Sequence, residues 1–422
     1  MIFSLFCCVL TNAQDFRTSY FLSNYLYDYR INPAFMGDSF KGFFSAGVGN
    51  VNVGAQASFP MDVFIYKEDG SYNFGINRDF SIEKLNKIIP TFSKANVSID
   101  ENILAIGWTR GHKAGTLEVN LRSYTSAYFD YELVRMAYNG LDELPYAIEN
   151  TKASTRNWLE VAYGFNDRIS DNFSFGARIK GLVGLNFSDL NIPSYHCDYD
   201  ATYAGRLTAS GDGTFRSSNT FLKYNSVDGL IDLRPEFGRY TIGGFGAAVD
   251  LGFKLTTSSD IEISVAVLDL GGLVWYNRIF GAISDRYCDG VEDLYTIMEA
   301  EPDSPISFVM SPVTVEAGAR YPINEYLSAG SLATIRIDNT ARGWYEIRIG
   351  GAYSPVKAFS VAASAAMNTL GSGLGFAFNL RIPGIAFSLG SDSIFSLFPF
   401  NSDMIPARKF NTNLHAGLSI AW

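Results

Sequence analysis

Cysteine, histidine and charge are all scarce in this chain. Its 422 residues include four Cys, three His and 18% Asp, Glu, Lys and Arg, where a typical soluble domain carries ~25% charged residues. No CxxC spacing or Cys/His cluster is present to hold a structural zinc, so no metal ligand set is expected. No HExxH, GxSxG or phosphate-loop pattern occurs. The three histidines (His112, His196 and His415) form no nucleophile–base pair: His415 and Ser419, four apart on a strand, would stand ~13 Å from each other. Basic residues are outnumbered 33 to 43, giving a net charge of −10. Such a chain cannot neutralise phosphates in series, which argues against a nucleic-acid partner. After the first ten residues no run of ~20 apolar residues offers a membrane helix; Ile261–Trp275 is cut by Glu262 and Asp269. The reading is of a non-enzyme without cofactor.

What is abundant is equally directed. Hydrophobic residues reach 47%, aromatics 15%, and there are 39 glycines, ample for a core and contrary to disorder. Met1–Leu10 is an uncharged apolar run followed by Thr11-Asn12-Ala13, with small residues placed for cleavage before Gln14. Residues 1–13 therefore read as the end of an export signal. No basic residue precedes Arg17, so the start reads as truncated; the alternative is a buried N-terminal strand. Once the leader is removed, Cys197 and Cys288 remain, and in an oxidising compartment they either pair or stand as inert thiols.

The rest of the chain alternates with period two over segments of ~10 residues, the length of a tilted strand crossing a bilayer. In Thr116–Arg122, Leu117, Val119 and Leu121 oppose Glu118, Asn120 and Arg122. Trp158–Phe165, Phe173–Phe187 and Phe245–Leu255 behave alike, as do Val313–Tyr321, Leu327–Ile337, Trp344–Tyr353, Phe359–Met367, Leu374–Ile382, Ile385–Ser391 and Leu414–Trp422. An apolar face repeated this often, in a chain with little charge, fits an all-β transmembrane antiparallel barrel better than a soluble sandwich. Short turns near Gly111–Gly115, Asn166–Asp171, Thr256–Asp260, Pro322–Tyr326, Ser354–Ala358 and Pro383–Gly384 alternate with longer links. The longer links are Pro60–Asp100, Thr125–Thr155, Ser188–Gly238, Gly271–Ser311, Asp338–Arg342, Thr369–Gly373 and Asp392–Asn411. Six short and seven longer connections give 14 strands, an even number that leaves both termini on the periplasmic side of an outer membrane. The alternation slips at Gly49-Asn50, either a bulge or a hairpin turn; a hairpin, with Tyr72–Ile76 as another strand, would make 16. Ser81–Ile89 reads as a short amphipathic helix outside the membrane.

Strand parity sends a set of charges into the lumen: Glu118, Glu160, Asp250, Glu262, Glu316 and Glu346 against Arg122, Arg178, Lys180, Lys254, Arg320, Arg336, Arg348 and Arg381. Six acids against eight bases is no single-sign selectivity ring; a mixed set forms paired cross-strand networks or seats a plug. At the end of the chain, Leu418, Ile420 and Trp422 share the apolar face of a C-terminal strand, the form of a barrel-assembly signal.

Asn32-Pro33-Ala34 with Gly37, ahead of a glycine-rich first strand, resembles the N-terminal segment of FadL-like outer-membrane barrels and of the Bacteroidetes PorV and PorP/SprF-like barrels. Gly176–Gly184 and Gly244–Lys254 carry further likeness to an uncharacterised Bacteroidetes outer-membrane family. The resemblance implies residues 14–41 as a hatch within a barrel of residues 42–422, with Asn32, Pro33, Ala34 and Gly37 making its turn. It implies two functions. One is a hatch-gated conduit for a small amphipathic or hydrophobic solute. The other is a plugged barrel anchoring a secretion, motility or surface-protein assembly, with a surface or periplasmic protein as partner. In both, the chain meets membrane lipid and the barrel-assembly machinery.

Overall fold

The computed structural model describes residues 16–422 apart from 141, 200–206, 219–221, 226–229, 236–241, 278, 284–285, 289–297, 301–305, 339–342, 370, 395–400 and 404. The signal-like residues 1–13 lie outside the described residues. Fourteen antiparallel strands close on themselves. They are β1 (Gly42–Ala46 and Val51–Ala57), β2 (Phe92–Arg110), β3 (Lys113–Asp130), β4 (Tyr146–Ser170), β5 (Phe173–Tyr199), β6 (Gly244–Thr256) and β7 (Glu262–Tyr276). There follow β8 (Ile306–Met310 and Val313–Pro322), β9 (Leu327–Ile337), β10 (Trp344–Val356), β11 (Phe359–Asn368), β12 (Gly371–Ile382), β13 (Ile385–Ser391) and β14 (Phe410–Ala421). β14 closes the ring on β1, with Phe43 opposite Ala421 and Val51 opposite Ala416. Closure removes the free edges that a membrane would leave unpaired.

Both halves of β1 pair with the same two neighbours, β2 and β14. The slip at Gly49-Asn50 is thus an interruption within one strand, and the count is 14 rather than 16. Tyr72 and its neighbours form a separate hairpin, Ile65–Glu68 with Ser71–Phe74. The two described helices are α1 (Ile82–Ile88) and α2 (Tyr131–Asn139). Ser81 caps α1, its hydroxyl accepting from the Lys84 N–H, and Asp130 caps α2 by accepting from Glu132 N–H. No described helix is long and apolar enough to cross a membrane.

All the expected short turns fall at one rim; Gly384, at φ +90, supplies the tight reversal between β12 and β13. The longer links fall at the other rim, where several prove shorter than expected. β5 continues through Ser188 to Tyr199, and Leu207–Ser217 pairs onto its extension. Register shifts at Asn157/Trp158 and Asn191/Ser194 break the alternation there and hide the strand from a period-two reading. The far rim is consequently uneven: β2 to β5 run 19, 18, 25 and 27 residues, β9 to β13 only 11, 13, 10, 12 and 7.

The outer face is apolar: Val161, Ile179, Phe245, Ile347, Ile349 and Leu414 are all exposed, Ile347 and Ile349 by 61% and 62%. An apolar belt on a closed antiparallel barrel is the surface an outer-membrane barrel turns to lipid. Among the described residues, the inside holds three buried clusters. Residues 16–43 form one with small wall residues such as Ala105, Ala362 and Ala377. A second surrounds Trp158 and Trp275. The third joins the long links to the projecting strands through Phe59, Phe64, Leu85, Phe129 and Leu133.

Candidate functional site

Residues 16–41 run through the lumen as three 3-10 turns, Arg17–Phe21, Asp28–Arg30 and Pro33–Phe35. The stretch carries too few helix formers for more: Asn32-Pro33 stops one turn, and Gly37 stands at φ +88, a conformation costly for any side chain with a Cβ. Short turns leave backbone groups open, and the wall closes them. The Asp392 carboxylate accepts from the N–H groups of Arg17 (3.0 Å) and Thr18 (2.7 Å). Asn379 Nδ2 donates to the carbonyls of Ser23 (3.2 Å) and Asn24 (3.1 Å), and the Thr109 hydroxyl to that of Phe40 (2.7 Å). These partners stand on β2, β12 and the end of β13, so the segment is ringed by the barrel.

Asn32, Pro33 and Ala34 occupy a seat in the wall. Asn32 Nδ2 donates to the carbonyls of Phe253 (3.1 Å) and Val265 (3.2 Å), while its Oδ1 accepts from Ala34 N–H. Asn166 on β4 donates to the Ala34 carbonyl at 3.0 Å. Gly176 and Gly252 face each other across β5 and β6. A Cβ on Gly176 would stand 2.1 Å from the Pro33 carbonyl oxygen, and one on Gly252 2.1 Å from Asn32 Oδ1. A Cβ at Gly37 would meet Ala114 at 2.6 Å. The motif residues and the strand glycines therefore meet at one place.

Six of the charges that parity sends inward join a single network. Arg178 bonds Glu118 (3.0 Å) and Asp250 (2.9 Å); Lys180 pairs with Asp250 (2.7 Å) and Asp269 (2.5 Å); Arg122 lies 3.5 Å from Glu160. Arg122 also meets Asp100 (2.9 Å), and Asp100 holds Arg30 of the N-terminal segment through both oxygens (2.7 and 2.8 Å). The others lie apart. Lys254 pairs with Asp38 and Arg320 with Glu262. Glu346 pairs with Arg348 at 2.9 Å. Glu316 and Arg336 are buried on β8 and β9, the Arg336 guanidinium 4.9 Å over the Tyr124 ring, and Arg381 is half-buried.

Parity overlooked Asp100, Asp269 and Asp392, together with Arg17, Arg30 and Asp38 of the segment itself. Asp100 and Asp392 sit at the edges of what reads as links. Asp269 belongs by parity to the outer face, but the register shifts between Val249 and Leu251 and Asp269 takes φ +59, turning its carboxylate inward. Only the bulge explains it, and the sequence does not mark the bulge.

Asp28 is half-buried in the segment, with one carboxylate oxygen held by the Ser39 hydroxyl at 2.7 Å. Burial first, and the neighbouring Asp38 second, push its pKa up to about 7 against the partial relief of Ser39, Arg320 and Lys254. His415 lies fully buried with Nδ1 2.9 Å from Asn52 Oδ1 and Nε2 2.8 Å from Ser388, its ring stacked on Phe16 at 4.4 Å. Ser419 bonds Tyr27 instead (2.9 Å), so the two make no catalytic dyad.

On the long-link side of the charge network the lumen wall turns aromatic. Tyr124 stacks on Trp158 (5.2 Å) and Phe187 on Trp275 (5.3 Å), beside Leu182, Leu273 and Val309. The indole N–H groups of Trp158 and Trp275 are buried without an acceptor among the described residues. On the opposite side, a gap lined by Tyr25, Tyr27, Gly49 and Ser388 is too narrow to admit water. No group of three described His, Cys, Asp or Glu side chains is placed to hold a metal ion. Cys197 is buried opposite Ala209, and Cys288 stands opposite Leu207 on the other edge of the same strand. Leu418, Ile420 and Trp422 point outward, and the Trp422 and Gly42 backbones exchange hydrogen bonds of 2.9 and 3.1 Å.

Residues 33–392 match the model of DUF5723, a family of unknown function, and the chain belongs to that family. No curated protein matches it. Among solved structures it is similar to the Ralstonia pickettii toluene transporter TbuX (TM-score 0.49, 11% identity, 94% of each chain covered). It is also similar to the Pseudomonas putida toluene transporter TodX (0.47, 10%, 98% of this chain and 99% of that one). A third is a Pseudomonas aeruginosa FadL homologue (0.45, 11%, 98% and 99%).

Proposed function

We propose that this DUF5723 member is an outer-membrane conduit, closed at rest by a hatch of residues 14–41, that passes a small amphipathic or hydrophobic solute when the hatch shifts. Both termini face the periplasm, the side of the short turns. The observation that carries the reading is the aromatic wall beyond the hatch. The rings are buried against one another while the segment is seated, and the two indole N–H groups, without acceptors among the described residues, would bond a solute with a polar end once that packing opens. A uniformly apolar lumen would suit a hydrocarbon and a single-sign ring an ion; this wall suits a molecule of mixed character.

A second reading has its own support. Arg30–Asp100 and Arg17–Glu346 are buried ion pairs joining segment to wall, and breaking such a pair from one side costs ~3–5 kcal/mol. A segment held this firmly would make a permanent plug and the barrel an anchor for a surface or periplasmic protein, as the PorV-like resemblance suggests. Liposome swelling separates the two. Removing Gln14–Phe40 is expected to raise solute permeability markedly over the full chain. Equal, closed behaviour of both proteins would favour the anchor; equal, open behaviour would deny residues 14–40 any closing role.

A further inference from the structure

The N-terminal end of the segment fills a box built by the wall. The Arg17 guanidinium lies 4.3 Å over the Trp344 ring, with its Nε 3.0 Å from Glu346 Oε1. Glu346 Oε1 also receives Arg348 (2.9 Å), and Oε2 receives Asn368 (3.0 Å). Asp392 completes the box, 3.6 Å from Arg348 and bonded by Asn413 at 2.9 Å. Trp344, Glu346, Arg348 and Asp392 all belong to the barrel; the segment contributes the Arg17 side chain, its charged group, and Thr18, which bonds Asp392 through its N–H (2.7 Å) and hydroxyl (2.5 Å). Beside it, the Phe16 ring rests on the His415 face and over Gly390, where a Cβ would meet the ring at 2.1 Å. Phe16-Arg17 is thus an aromatic group joined to a cation, each half in its own recess.

Remove Arg17 and the box keeps two carboxylates against a single guanidinium. A buried carboxylate without a counter-charge is costly, and an aromatic face beside it favours a cation over water. We infer that this box is a binding site for a cationic amphipathic solute, a guanidinium or ammonium on an aromatic or apolar body, which takes the place of Phe16-Arg17. The inference rests on the hatch reading: when the segment withdraws, the solute it admits neutralises the charge it leaves. It narrows the solute of the conduit to one bearing positive charge.

The test is binding, read by calorimetry on the detergent-solubilised mature chain with phenethylguanidinium as the probe and uncharged phenethyl alcohol as its control. In a variant with Phe16→Ala and Arg17→Ala the resident competitor is gone, and the guanidinium is expected to bind at least tenfold more tightly than to the parent, the alcohol no more tightly. Adding Glu346→Gln should abolish the gain. Adding Trp344→Leu, which leaves every charge in place, should reduce it severalfold; heat-modifiable migration on gels confirms a closed barrel in each variant. Equal affinity in parent and Phe16/Arg17 variant overturns the site, as does a gain that survives Glu346→Gln or is shared by the alcohol. The two ideas fail separately. A tenfold gain from a protein whose permeability ignores hatch deletion upholds the cation site and rejects the conduit. Deletion-dependent permeability without the gain rejects the site and leaves the conduit standing.

Discussion

At the scale of single residues, the raised pKa of Asp28 predicts that docking of the N-terminal segment depends on pH. With its pKa pushed up to about 7, its carboxyl is expected to keep its proton in the docked state up to that pH, whereas a solvated Asp loses it near ~4. Between those values the docked state binds the extra proton, so docking weakens as pH rises from ~4 to about 7 and levels off above. Conductance of the full chain in planar bilayers is therefore expected to be lower at pH 5 than at pH 7.5. Asp28→Asn should remove that difference and hold the closed state at both values; an unchanged pH response would assign it to another group. Residues also mark how far the sequence could be read. Alternation alone found Glu118, Arg122, Glu160, Arg178, Lys180 and Asp250, because each sits where the pleat is regular. It missed Asp269, whose orientation depends on a bulge, and it missed Arg17 and Arg30, whose segment has no period to follow. The near-balance of lumen charge was legible as pairing, but its partners in the segment were not.

At the scale of elements, the glycines of β5 and β6 act as a socket. Nothing in a strand's hydrophobic pattern asks for Gly176 opposite Gly252; the reason is the turn of Asn32-Pro33-Ala34 pressed against them. Gly252→Val should force the turn off the wall at ~1–3 kcal/mol, the usual cost of overpacking, while leaving the β5–β6 ladder intact. The expected result is a heat-modifiable, folded barrel with permeability raised toward that of the hatch deletion. A variant as closed as the parent would show that the seat is dispensable. Link elements were read least well. The continuation of β5 past Ser188 is hidden by its register shift and α2 by lying inside a long link, whereas α1 is visible as the amphipathic run Ser81–Ile89.

At the scale of the whole molecule, the strand count followed from parity and link length, and the ring closes only through β14. Removing Phe410–Trp422 would expose two edges to lipid, each with unpaired backbone groups. The truncated chain is expected to lose heat-modifiable migration and membrane insertion; a stable inserted product would refute the closing role of that strand. The uneven far rim has a consequence of its own. At ~3.3 Å per residue and a tilt near 45°, the difference between the 25 residues of β4 and the 11 of β9 lifts one side of the mouth ~30 Å above the other. The rim therefore slopes from the crest of β4 and β5 down to the short strands β9 to β13, so this end of the barrel faces sideways rather than along its axis.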